Sequence, residues 1–209
     1  MAAPGWFGKL APLGDFASRR LPPEFVAACD RWLSACIASS QAQLGERWPR
    51  AYLNAPAWRF ALAPQVLDAQ WWFGVLMPSC DKVGRYFPLL VLQPRSTPPL
   101  DRIALDHLDL WWGQAAQAAL QTLEEGAELE AFEAALQALP PWPSTRGRAA
   151  ADATLVDLAQ GLAATGLQQR LLGHSVWWPW RPQAVSVPWQ IVPGLPAAEG
   201  FAQLLLAPD

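Results

Sequence analysis

The sequence predicts an α/β protein of the α+β type, with a central, largely antiparallel sheet covered by helices on both faces in a single domain over residues 1–209. Three observations predict it. Two apolar runs, Trp71–Met77 and Tyr86–Leu92, are bounded by Pro and Gly, as expected of strands buried on both faces. Phe25, Cys29, Trp32, Leu33, Cys36 and Ile37 recur at i, i+4, i+7, i+8, i+11 and i+12, which is one apolar stripe on a long helix. A hydrophobic content of 52% against 16% charged residues, in 209 residues, supplies a large core and excludes a disordered chain.

Taken in order, Gly5–Leu10 reads as a first strand that ends in the turn Ala-Pro-Leu-Gly. Pro22 and Pro23 suit a helix start, with Glu24 favourable to the dipole, and the long helix ends near Gly45. Glu46–Leu53 adds a short helical turn. Trp58, Phe60 and Leu62 alternate with Arg59 and Ala61 as a strand, and strands at 71–78 and 85–93 complete an antiparallel meander. Pro94, Pro98 and Pro99 form a stiff linker, dividing a signature-bearing part, 1–94, from a helical part, 100–209.

After the linker the period becomes helical. One helix carries Leu108, Trp111, Trp112, Ala115, Ala116, Ala119 and Leu123. A second carries Leu129, Phe132, Leu136 and Leu139, stopped by Pro140 and Pro141. A third carries Leu155, Leu158, Ala159 and Leu162, with Gly166 near its end. Val176–Arg181 and Val185–Val192 are short strands whose prolines mark them as edge or irregular. Ala198–Leu206 closes the chain as a short helix. Trp111 and Trp112 need an apolar surface to cover, which places this part on the same sheet.

Composition narrows the function classes. A net charge of −3 without a basic block argues against nucleic acid as a partner. No export signal is legible, and no apolar run approaches the ~20 residues that span a bilayer, so a cytoplasmic protein without membrane insertion is expected. Cys29, Cys36 and Cys80 form no Cys-x-x-Cys pair and read as reduced core thiols. The thirteen tryptophans read mostly as core, the alternative at Trp177, Trp178, Trp180 and Trp189 being an aromatic interaction patch.

Catalytic constellations are missing. There is no Gly-x-Ser-x-Gly elbow, phosphate loop or His-Glu-x-x-His, and no metal-ligand spacing or implied cofactor. His107 opens a helix beside Asp106 and Asp109, and His174 follows Gly173 at a helix end or loop; both suit surface or capping roles. What remains is a set of charges at strand ends: Asp15, Arg59, Asp81 and Arg85. They either hold turns and pair with one another, or form a carboxylate-and-guanidinium pocket for a ligand or partner. The pocket reading admits a metal-assisted hydrolase, or a sensor of a small molecule or phosphopeptide with Arg59 and Arg85 as anion contacts.

Three ordered motifs then carry a resemblance. They are Gly5-Trp-Phe-Gly-Lys-Leu-Ala-Pro-Leu-Gly-Asp-Phe16, Asn54-Ala-Pro-Ala-Trp-Arg-Phe-Ala-Leu62 and Gly74-Val-Leu-Met-Pro-Ser-Cys-Asp-Lys-Val-Gly-Arg-Tyr-Phe-Pro-Leu89. The sequence resembles the TagF family, also called ImpM, of type VI secretion system-associated proteins. Ser175-Val-Trp-Trp and Gly194-Leu-Pro196 are similar to the family's less distinctive C-terminal part, so the resemblance covers nearly the whole chain. Ala11 departs from the proline that the family usually carries after Lys-Leu.

The resemblance implies a cytoplasmic, non-enzymatic protein that restrains assembly or firing of the secretion apparatus after translation. Its implied partner is the forkhead-associated scaffold protein of a threonine-phosphorylation pathway. Some relatives are fused to a protein phosphatase domain, an activity not expected of this chain. The resemblance supplies no catalytic residues.

Overall fold

The computed structural model describes residues 3–13, 15–142, 166–180 and 189–206. Seven strands form one sheet: β1 (Gly5–Lys9), β2 (Phe16–Arg19), β3 (Trp58–Leu62), β4 (Trp71–Met77), β5 (Leu89–Arg95), β6 (His174–Pro179) and β7 (Gln190–Pro193). Their spatial order is β2-β1-β5-β4-β3-β6-β7, and every neighbouring pair is antiparallel. Helices α1 (Pro23–Leu44) and α2 (Trp48–Asn54) cover one face with a C-terminal helix, Phe201–Leu205; α3 (Arg102–Gln121) and α4 (Leu129–Gln137) cover the other.

The central strands show why the apolar runs are continuous. All seven residues of β4 are buried. Trp72 and Leu76 face the α1 side, while Trp71, Phe73, Val75 and Met77 face the α3 side. Alternating side chains therefore meet two separate apolar layers, and neither face tolerates a charge. Fully burying one such side chain stabilises the fold by about 1.5–3 kcal/mol.

Each covering helix follows from its own stripe. In α1, Phe25, Cys29, Leu33, Cys36, Ile37 and Leu44 are buried, with Pro23 in the first turn and Gly45 (φ 53°) at the end. Burial pushes the Cys29 thiol up to about 12, and burial together with the nearby Glu199 carboxylate does the same for Cys36. In α3, the Asp101 carboxylate accepts the Ala104 N–H at 2.7 Å, and Trp111, Trp112, Ala115, Ala116 and Ala119 cover the sheet.

Several expectations are corrected. Residues after the first turn form β2, an exposed edge strand too short and polar to show as an apolar run. The strand expected from residue 85 begins at Leu89, because Cys80 and Tyr86 make only an isolated bridge across the preceding loop. Pro94 lies inside β5, so the linker is shorter than the prolines suggested. The first strand of the C-terminal part is interior, between β3 and β7; its proline, Pro179, sits at the end, where a missing N–H costs little. His107 lies within α3, not at its start, and His174 begins β6. The helix expected over Leu155–Leu162 and the start of the strand expected from Val185 lie outside the described residues, while Gly166 belongs to a short helical stretch at 166–171.

Gly74 marks a close contact between strands at the centre of the sheet. A Cβ there would stand 2.5 Å from Phe60 Cζ and 2.5 Å from the Val91 carbonyl oxygen. Its absence lets the Phe60 ring lie across β4 and stack on Trp177 at 4.8 Å. Gly74→Ala should destabilise the protein by about 2–3 kcal/mol through overpacking, read as a lower urea midpoint at unchanged m-value.

Candidate functional site

The loop from β4 to β5 leaves the two-sided core at Pro78, and its first polar groups are tied down at once. The Ser79 hydroxyl donates to the Lys9 carbonyl at 2.8 Å. The Ser79 N–H donates to the Tyr52 hydroxyl at 3.0 Å, which in turn donates to the Ser79 carbonyl at 3.0 Å. Burial pushes the Tyr52 phenol well above its ordinary value, keeping it neutral as a donor.

Asp81 is the hub. Its side chain is fully buried; Oδ2 accepts Lys9 Nζ at 3.0 Å and Arg85 Nε at 2.7 Å. Oδ1 accepts the backbone N–H groups of Arg85 at 2.9 Å and Val83 at 3.1 Å. Gly84, at φ +77°, closes this turn by donating to the Asp81 carbonyl at 2.9 Å. Lys82 N–H reaches the Leu13 carbonyl at 3.3 Å, tying the loop to the β1–β2 connection. The Lys9 ammonium is 6% exposed and lies 4.9 Å from the centre of the Phe16 ring. Burial alone would raise the Asp81 pKa. The Arg85 N–H, Lys9, the Arg85 guanidinium and the Val83 N–H outweigh burial and hold the carboxyl well below the usual carboxylate range.

The four charges read from the sequence therefore separate. Asp81 and Arg85 form one unit. Asp15 is exposed and accepts the N–H of Phe16 at 2.8 Å. Arg59 lies on the α3 side of β3, where it donates to Asp109 Oδ1 at 2.6 Å with its guanidinium 5.4 Å from the Trp178 ring. Burial lowers the Arg59 pKa and Asp109 opposes that shift. Lys9, one of only two lysines in the chain, was missed; a lysine ending a strand otherwise made of Gly-Trp-Phe-Gly was the available signal.

A second buried carboxylate was also missed. Glu133 on α4 accepts Trp6 Nε1 at 2.6 Å and Arg20 Nη1 at 2.7 Å, with Arg19 at 3.6 Å. Burial raises its pKa, but Arg20, Trp6 and Arg19 pull the net value below normal. It lies on a striped helix, where its sequence context is that of any solvent-facing glutamate.

The tryptophan group also divides. Trp177 is 1% exposed and stacks on the α1 side of the sheet; Trp178 meets Trp112 edge-on at 4.6 Å on the α3 side. Trp180 is half-buried, and only Trp189 is exposed, at 63%. These four do not form one surface. Among the described residues, no group of three or more His, Cys, Asp and Glu is placed to hold a metal ion, and no helix is long and apolar enough to cross a membrane.

Fold and rim together define a class of secretion-associated proteins: the family described as "TagF N-terminal domain, Type VI secretion system-associated" matches residues 5–139, which include β1 to β5 and the Asp81 hub. The chain belongs to the TagF family. It is similar over 97% of its length to PA0076 from Pseudomonas aeruginosa PAO1, at 39% identity and a TM-score of 0.79, covering 94% of that chain. A comparison with curated proteins finds no match.

Because Asp81 binds its partners as a carboxylate, its stabilising contribution is complete above the unfolded carboxyl pKa, about 4, and declines as pH falls toward the depressed folded value. Asp81→Asn should lower the urea midpoint at pH 7. The gap between wild type and variant should narrow steadily below about pH 4.

Proposed function

We propose that this protein is a post-translational negative regulator of type VI secretion system assembly or firing. It acts in the cytoplasm by stoichiometric binding to the forkhead-associated scaffold protein of a threonine-phosphorylation pathway, and turns over no substrate. The observation that carries this reading is the family match over residues 5–139, joined to the likeness to PA0076 along nearly the whole chain.

The site geometry favours binding over the hydrolase or anion-sensor alternatives. Both Asp81 oxygens are occupied by donors from the chain itself, and Arg59 is paired with Asp109, away from Arg85's carboxylate. A general base needs a free lone pair within reach of substrate, and an anion site needs guanidinium groups that converge. The Asp81 hub instead ties strand ends together and fixes the shape of the rim.

Deletion of the gene should raise the amount of secreted tube protein severalfold, measured in culture supernatant, and the purified chain should bind the scaffold protein at a fixed ratio. Unchanged or reduced secretion would contradict the regulatory sign, and absence of association would contradict the mechanism.

A further inference from the structure

Among the described residues, β2 is an outer strand of the sheet, paired with β1 on one side only. Its other side presents backbone N–H and C=O groups that only another extended chain satisfies in series. The opposite edge strand ends in Pro193, a residue that cannot donate to a ladder, whereas β2 contains no proline.

Beside β2 runs an open groove of about 550 Å³, walled by β2 and the first turns of α1 and lined by Phe7, Phe16, Ser18, Leu21, Val26 and Asp30 among others. Phe16 is 46% exposed although its ring meets Phe87 at 4.7 Å, so a broad apolar face is left open. The single charged lining residue is Asp30, half-buried, and it makes no ion pair or hydrogen bond among the described residues. Nearby cations are committed elsewhere. Lys9 is held by Asp81, and Arg19 and Arg20 turn to Glu133. The groove is thus apolar with one uncompensated negative charge.

We propose that the free edge of β2 and the groove between it and α1 form a docking site for an extended segment of a partner protein. That segment adds to the sheet as an eighth strand. On the face turned to α1 it carries an apolar side chain over Phe16 and Val26, and a lysine or arginine for Asp30. Residues on one face of a strand alternate, so the two are separated by an even number of positions. The site rests on the binding role proposed above but not on which protein is bound.

The test begins with a random twelve-residue displayed peptide library selected against the full chain, followed by titration of the enriched peptides in synthetic form. Enriched peptides should carry an apolar and a basic residue at even spacing. Asp30→Arg should weaken them at least tenfold without changing the melting temperature, and replacing the peptide's basic residue by Glu should restore binding to that variant. N-methylation of alternate peptide amides should abolish binding, while methylation of the intervening ones should spare it, as strand addition requires. No enrichment, binding indifferent to Asp30→Arg, or loss without alternation overturns the site. If the scaffold protein binds the chain and Asp30→Arg leaves that affinity intact, the site fails while the regulatory reading stands. If peptides bind as described but the scaffold does not, the site stands and the choice of partner fails.

Discussion

Burial of β4 on both faces is the constraint from which the remaining arrangement follows. Layers of aromatic and aliphatic side chains press on it from α1 and from α3, so the charged groups of the loop that follows gather where the strand emerges. Asp81 is placed there, four residues beyond the strand, and gathers Lys9 from β1 and Arg85 from its own loop. The rim is therefore a consequence of the core. Its charges answer one another because the sheet leaves them a single exit, and a carboxylate buried so close to an apolar layer persists only with every lone pair engaged.

Glu133 performs the same task on the other side of the molecule. It receives the Trp6 indole from β1 and Arg20 from the turn after β2, joining α4 to the strands beneath it. Two buried acids thus hold β1 in place, one at its end and one near its start. Buried ion pairs add little net stability relative to apolar packing, yet removing one partner is costly, which makes them effective at specifying a single arrangement.

Periodicity made much of this architecture legible. The α1 stripe, the β3–β4–β5 meander and the α3 face are patterns of local sequence, and local patterns report which side of an element is dry. What escaped was set by long-range pairing. β2 carries no apolar run because three of its four residues are exposed. β6 reads as an edge because its proline is visible and its partners are not. The site residues divide the same way. Asp81 and Arg85 lie four apart and were found together, but the third member, Lys9, is distant in sequence, and Arg59 joins Asp109 on a helix that no spacing rule links to β3. The tryptophans Trp177 and Trp178 looked like one patch, whereas adjacent residues of a strand point to opposite faces.

The register of β6 on β3 has a further consequence. Trp58 through Leu62 pair with Pro179 back to Ser175, so a strand from the last quarter of the chain closes the flank of the meander. The segment that defines the family, 5–139, stops before that strand. Severed there, the chain would keep its signature motifs yet leave β3 with a bare and hydrophobic flank, an invitation to aggregate. During synthesis β3 must wait, unpaired on that side, until more than a hundred further residues have been made. The sheet is accordingly completed only after β6 has been made.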